Sequence, residues 1–352
     1  MQLACVWLSI SVNCLDCLTV ACTNPSAYKK SVQTFKRETR MKKSIIAIAV
    51  SSAALASVSV QAAEGSTVDV YGNIQYAYSY TDESGEGGNF EDNGSTIGLK
   101  GETKINDDLT AFFKYELEFN ADQKENRDNA DGYNESKLDQ AYVGLKGNFG
   151  KVQIGSFDTI YKDAIQDNLD GFEYLGFEGG DRTSEGDTIA YFSPSINGFE
   201  VQTAIQVKGE SSEGGASNDN YDSLSSMVVL KYSADMFSVA LGYDSRNNTA
   251  DAEATTGLAV TVMPMDNLSV TAKLETTEDT KDIMGLTTRY GYGYGDLYAS
   301  YQNIDPDNAD DYNEYGVGAT YNLASNVYVF AEIGQQDSTE DSVSAVGVYY
   351  GF

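Results

Sequence analysis

The side chains able to do chemistry in this sequence are almost all carboxylates. The 352-residue chain holds 53 Asp+Glu against 23 Lys+Arg, and no His. From Glu64 onward there are 51 acidic and 16 basic side chains, a balance of −35. All four cysteines (Cys5, Cys14, Cys17, Cys22) and the single tryptophan, Trp7, lie before that point. Residues 64–352 therefore cannot build a Ser–His–Asp triad, a Cys–His pair or a metal site of imidazole and thiolate. Disulfides are excluded there as well. The negative balance repels phosphate backbones, so nucleic acid is not an expected partner. What carboxylates can do without such partners is attract and guide cations. They are densest at 156–187, where Asp158, Asp163, Asp167, Asp170, Glu173, Glu178, Asp181, Glu185 and Asp187 stand against Lys162 and Arg182. Smaller clusters occur at Asp82, Glu83, Glu86, Glu91 and Asp92, and at Asp305, Asp307, Asp310 and Asp311. Oxygen ligands suit calcium or magnesium. No twelve-residue calcium loop or Gly-Gly-x-Gly-x-Asp repeat is present, however. Diffuse calcium or magnesium binding is the expectation, with no cofactor and no defined metal site.

The elements that carry these clusters read as strands. Leu109, Ala111, Phe113, Tyr115, Leu117 and Phe119 alternate with Thr110, Phe112, Lys114, Glu116, Glu118 and Asn120. The same period of two runs through 199–208, 268–275 and 345–352. It gives each strand one apolar and one polar face. No sustained 3.6-residue apolar period follows residue 64, so no long helix is expected. Short Asn/Asp/Gly turns sit at 106–108, 148–150, 197–198, 234–235, 265–267, 293–295 and 325–326. Such residues tolerate positive φ. Longer polar stretches lie between them, at 82–92, 121–136, 156–187, 209–223, 245–253, 277–281, 305–311 and 336–341. Seven turns and eight loops separate sixteen strands.

Short turns at one end and long loops at the other are the asymmetry of an outer-membrane barrel. A tilted strand of about ten residues crosses the hydrocarbon layer. Closure pairs every strand edge, which a sheet in lipid requires. The expected fold is therefore all-β: a transmembrane antiparallel barrel of sixteen strands. A barrel of about that size is too wide to be filled by its own side chains and holds water. Tyr76, Tyr78, Tyr80, Tyr115, Tyr232, Tyr243, Tyr290 and Tyr292 fall near strand ends, as interfacial girdles do. The β-propensity of tyrosine explains any one of them equally well.

The first 63 residues read as an address. Met41-Lys42-Lys43 is a basic start, 44–60 is apolar and small, and cleavage is expected after Ala62 or Ala63. Residues 1–40 are expected to be a spurious upstream extension, leaving 64–352 as a single barrel domain. Cys14 and Cys17 lack partner cysteines at zinc spacing, and no basic segment supports lipidation at Cys22.

Four features make the chain resemble the general diffusion porins of Gram-negative outer membranes, and most of all the acidic major porins of marine gammaproteobacteria. These are the export signal followed by a strand at Val68-Asp69-Val70-Tyr71-Gly72; the terminal Phe352 with Tyr350, Val348 and Val346; the strand count; and the third loop. Within that loop, Gly176-Phe177-Glu178-Gly179-Gly180-Asp181 is similar to the family's Pro-Glu-Phe-Gly-Gly-Asp motif, reordered and without its proline. The resemblance implies a homotrimer in contact with lipopolysaccharide and outer-membrane lipid. It implies that assembly machinery reads the C-terminal strand. It also implies that the third loop folds into the lumen, whereas a charged loop taken alone would face outward. Folded inward, Asp158, Asp163, Asp167, Asp170, Glu173, Glu178 and Asp181 would form an acidic constriction. Lys100, Lys114 and Lys146, each on the polar alternate of its strand, and Arg182 would form a basic wall.

A passive, cation-selective pore for small hydrophilic solutes is the expected function. A substrate-specific channel and a mainly structural or adhesive barrel are the alternatives. An enzyme is not expected, since barrel hydrolases resemble one another in using histidine.

Overall fold

The computed structural model describes residues 66–82, 87–122, 136–169, 171–177, 186–207, 224–247, 252–335 and 342–352. The proposed leader, 1–63, lies outside them, as do Asp170, Glu178, Asp181 and Arg182. Contacts divide the chain into Met1–Ala47 and Ile48–Phe352, and all described residues belong to the second unit.

That unit is a sheet of seventeen stretches. They are β1 (Ser66–Thr81), β2 (Gly88–Asp92), β3 (Thr96–Asn106), β4 (Leu109–Glu118), β5 (Lys137–Gly147), β6 (Gly150–Ser156), β7 (Thr188–Phe192), β8 (Phe199–Val207) and β9 (Leu224–Ser233). The remainder are β10 (Phe237–Asp244), β11 (Thr255–Met265), β12 (Leu268–Thr277), β13 (Lys281–Gly291), β14 (Asp296–Pro306), β15 (Tyr312–Ala324), β16 (Val327–Gln335) and β17 (Ser342–Gly351). β1 pairs antiparallel with both β2 and β3, each stretch from β3 to β16 pairs antiparallel with the next, and β17 returns to β1 from Asn73↔Gly351 to Thr81↔Val343. The sheet is thus a closed, all-β barrel. The stretches β2 and β3 both lie against β1, at Tyr76–Tyr80 and Ser66–Asn73 respectively. They are two parts of one stave broken at Asn93-Gly94-Ser95, so the barrel has sixteen staves.

All seven expected turns join neighbouring strands. At 197–198 and 293–295, Asn197, Gly198, Gly293 and Gly295 adopt positive φ. Two expected loops are corrected. Gly88–Asp92 is strand rather than loop, because Glu91 and Phe90 continue the two-residue alternation against β1. The stretch at 277–281 is only a tight turn, closed by Thr280 N–H donating to the Thr277 carbonyl at 3.1 Å.

The barrel is apolar outside. On β8, Val201, Ile205 and Val207 are exposed, while Gln202, Ala204 and Gln206 are buried. The same inversion on β9 exposes Leu224, Val228 and Leu230 and buries Ser225, Met227 and Val229. Such strands can bury their exposed faces only in lipid. The C-terminus acts as the clasp. The Phe352 N–H donates to the Gly72 carbonyl at 2.9 Å, and the Gly72 N–H donates back at 3.0 Å. Tyr350, Val348 and Val346 pair with Ile74, Tyr76 and Tyr78 on the same outer face.

Candidate functional site

The connection from β6 to β7 does not leave the barrel. It runs along the inner wall as a belt. Phe157 starts it, buried edge-on against Tyr142 of β5, which in turn meets Phe112 of β4. Ile160, Tyr161, Ala164 and Ile165 then pack on Ala190, Ala204, Met227, Val229, Ala240 and Ala259 from β7 to β11. This stretch includes a five-residue π-helical turn, Lys162–Gln166, in which the Asp167 N–H reaches back to the Lys162 carbonyl at 3.1 Å. Such turns are common at functional sites. Here the turn presses its apolar side to the wall and leaves Asp163 and Asp167 exposed.

Farther along, the wall holds the belt by polar contacts. Gln166 Nε2 donates to Glu275 on β12 at 2.8 Å, and Glu275 also pairs with buried Lys273 at 3.0 Å. Arg289 on β13 donates to the Gly171 carbonyl at 3.0 Å. The firmest anchor is Glu332 on β16. Its carboxylate accepts the backbone N–H groups of Glu173, Tyr174 and Leu175 at 2.6, 3.0 and 2.9 Å, and the Tyr298 hydroxyl at 2.6 Å. Three backbone donors on one carboxylate make strong charge-assisted bonds. The belt then reaches the broken stave: Asn93 donates to the Glu173 carbonyl at 2.7 Å, and the Tyr174 hydroxyl donates to Glu91 at 2.6 Å.

On the wall formed by β3, β4 and β5, the described part of the belt meets Tyr142 and Gln140, at Phe157 and Asp158. Lys100 and Lys114 stand opposite each other there, their Nζ atoms 4.9 and 5.8 Å from the Tyr71 ring. Lys114 pairs with Glu116 at 2.8 Å and donates to Gln140 at 3.1 Å. Gln140 in turn donates to Asp158 at 2.8 Å, which also takes Lys162 at 2.6 Å. An extra residue at Asp139, opposite Glu116 and Leu117, makes the bulge that turns this part of β5. Lys146 lies lower, one residue from the Asn148-Phe149 turn, bonded to Glu102 and facing Lys151.

The residues expected at the site are therefore split. Asp163 and Asp167 are exposed on the side of the belt away from the wall, Asp158 is half-buried and bonded to Gln140 of β5, and Lys100 and Lys114 stand on β3 and β4. Glu173 turns back instead, accepting from the Tyr328 hydroxyl at 2.6 Å and lying 3.7 Å from Arg289. Burial raises its carboxyl above the usual range, against the opposing effects of Tyr328 and Arg289. Enclosure in the lumen, then the charge of Asp158, push the Asp163 carboxyl up to about 6, with Lys231, Lys162 and Lys151 opposing.

Lys151, Lys231 and Glu332 were not expected here. Each occupies a polar alternate like many others, and only the register between distant strands brings it to the belt. Among the described residues, no group of three acidic side chains is arranged to hold a metal ion. What the arrangement can do is impose fields and a cross-section on a passing solute.

Comparisons with known proteins agree with this fold. The chain is 33% identical, over 89% of its length and all of the relative, to a protein of Halomonas sp named "Monosaccharide porin". The "Major outer membrane protein" of Halomonas elongata matches at the same identity and coverage. The "Outer membrane porin OmpD" of Salmonella typhimurium is 29% identical over 64% of this chain and 62% of its own. Among solved structures, a mutant of Rh. blastica porin covers 81% of this chain and all of its own, with a TM-score of 0.64 and 18% identity. Salmonella typhi OmpF in complex with daunomycin covers 82% of this chain and 98% of its own, with a TM-score of 0.66 and 20% identity. At those identities the structures speak to the fold alone. Residues 44–341 match the family described as Gram-negative porin, and the chain belongs to that family of outer-membrane channels.

Proposed function

We propose that this porin passes small hydrophilic solutes and ions passively and favours cations. The observation that carries the reading is the belt's two-sidedness: its apolar residues pack on the wall, and Asp163 and Asp167 are exposed on the other side. Carboxylates beside a low-dielectric wall concentrate cations and repel anions. Asp170, Glu178, Asp181 and Arg182 belong to the same loop and are proposed to line the same passage. Lys100 and Lys114 form the facing wall, with Lys114 partly offset by Glu116. No cofactor is called for, and calcium or magnesium would bind only diffusely at the acidic loops.

The same reading takes 41–63 as an export signal and the mature barrel as a homotrimer in the outer membrane. There it meets lipopolysaccharide, having been assembled through Val346, Val348, Tyr350 and Phe352. The name of the Halomonas sp relative favours a second reading, in which monosaccharides are the principal solutes.

Planar-bilayer recording across a potassium chloride gradient tests the first reading. A reversal potential of cation-selective sign is expected, and zero or anionic sign would refute it. Liposome swelling that is fast for monosaccharides and saturates with concentration would favour the second.

A further inference from the structure

Five glycines of the inner wall receive the belt. Tyr161 and Ile165 lie over Gly242 on β10 and Gly257 on β11, and Leu169 lies over Gly285 on β13. Phe172 and Leu175 lie over Gly316 on β15, and Leu175 also meets Gly334 on β16. A methyl at Gly242 would come within 2.9 Å of both Tyr161 and Ile165, and one at Gly257 within 2.6 Å of the Tyr161 hydroxyl. At Gly285 it would fall inside the Leu169 side chain. None of the five has a positive φ. The φ angles therefore do not demand glycine at these positions. At Gly242, Gly257, Gly285 and Gly316 the space taken by the belt does, while at Gly334 the Tyr315 carbonyl, 2.6 Å from an added methyl, is nearer than Leu175. Gly98, Gly144, Gly318 and Gly347 differ: each receives an aromatic ring from its own or a neighbouring stave (Tyr71, Phe112, Tyr298 and Phe330).

We infer that this glycine track determines the size of the pore by fixing how close the third loop lies to the wall. The inference rests on the pore reading. The belt's wall side is packed without slack, since Ile160, Tyr161, Ile165 and Leu169 are almost fully buried. Packed interiors pass on an added methyl as displacement instead of absorbing it. The belt's opposite side carries Asp163 and Asp167 into the lumen, so displacement away from the wall narrows the open cross-section. Size exclusion is thereby set by residues that no solute touches, on strands far in sequence from the loop.

Single-channel conductance of the full folded protein tests this with Gly285→Ala, Leu169→Ala and the double variant. Gly285→Ala is expected to lower conductance by about 1.5-fold. Leu169→Ala is expected to raise it, because the belt can settle into the vacated hollow. The double variant is expected to return to the wild-type value, with the new methyl filling the space left by leucine. Unchanged or raised conductance in Gly285→Ala overturns the inference. If that variant fails to assemble, the double variant decides, since a conductance equal to that of Leu169→Ala alone overturns it. A silent wild-type protein would fail the pore reading itself, and this inference with it.

Discussion

The inner wall has two regions that share a strand pattern and differ in what they hold. From β7 to β16 its inward positions include Ala190, Ala204, Ala240, Ala259 and the glycine track, interspersed with Lys273, Glu275, Arg289, Gln302, Glu314 and Glu332. From β3 to β5 they include Lys100, Lys114, Gln140 and Lys146, with Glu102 and Glu116 and the rings of Phe112 and Tyr142 among them. The described belt runs along the first region and meets the second at Tyr142 and Gln140. Small positions leave a hollow that a loop can fill, and polar side chains among them (Glu275, Arg289 and Glu332) bond to the loop. Long charged side chains fill the second region themselves and are better solvated by pore water than by a loop. The inward pattern thus decides where the lumen is occupied.

The sharpest way to break the comparison is at Glu332. Glu332→Ala leaves the N–H groups of residues 173–175 and the Tyr298 hydroxyl without their acceptor. The expected cost is on the order of 3 kcal/mol, since buried donors lose charge-assisted bonds. A lower unfolding midpoint and noisier, larger single-channel currents are expected. Glu332→Gln, which keeps one acceptor oxygen, should be milder in both. If currents and midpoint match the wild type, the belt is held by packing alone.

The charge of the belt is the next contrast. Asp163→Asn with Asp167→Asn should lower the cation-to-anion permeability ratio roughly two- to five-fold, leaving conductance in molar salt nearly unchanged because of screening. The reversal potential in a salt gradient measures it. No change would move the selective charges to the rest of the loop, at Asp170, Glu178 and Asp181.

Acidification separates Asp163 from its neighbours. Its carboxyl is pushed up to about 6, above the usual carboxylate range, by enclosure and then by Asp158. It is therefore largely ionised above pH 7 and largely neutral at pH 5. Cation preference should fall as pH drops through about 6, while carboxylates in the usual range remain charged. Asp163→Asn should remove that step and leave any change below pH 5 in place. A wild-type step persisting in the variant would assign it to another group.

The barrel was legible in the sequence because its signals are local. Asn197-Gly198 and Gly293-Tyr294-Gly295 announce turns by the φ values they tolerate, and two-residue alternation announces strands. The count of sixteen survived even though Gly88–Asp92 reads as loop, since β2 continues the stave of β3. The site was legible only in part. Asp163 and Asp167 stand out by density, but Glu173 looks the same in sequence and turns to the wall. Glu332 is one acidic alternate among several, with Glu275 and Glu314 of equal appearance. The track glycines read as weak points in strands. Their role depends on a loop arriving from β6, and the register of five other strands sets that arrival.

The smallest expected effect lies on the wall of β3 to β5. Lys146 is bonded to Glu102, and both side chains are about half exposed. Exposed pairs of this kind contribute about 0–1 kcal/mol, so Lys146→Ala should barely move the unfolding midpoint. Its position by the β5–β6 turn, below the level of Lys100 and Lys114, argues for a small effect on selectivity as well. Lys114→Ala lies at the belt's own level, across Gln140 from Asp158. It should raise cation preference by roughly 1.5-fold. Paired reversal-potential measurements on the two variants test whether height in the pore matters more than charge. Equal shifts would mean that the wall of β3 to β5 acts as one diffuse field, and that the belt alone gives the pore a defined level of selection.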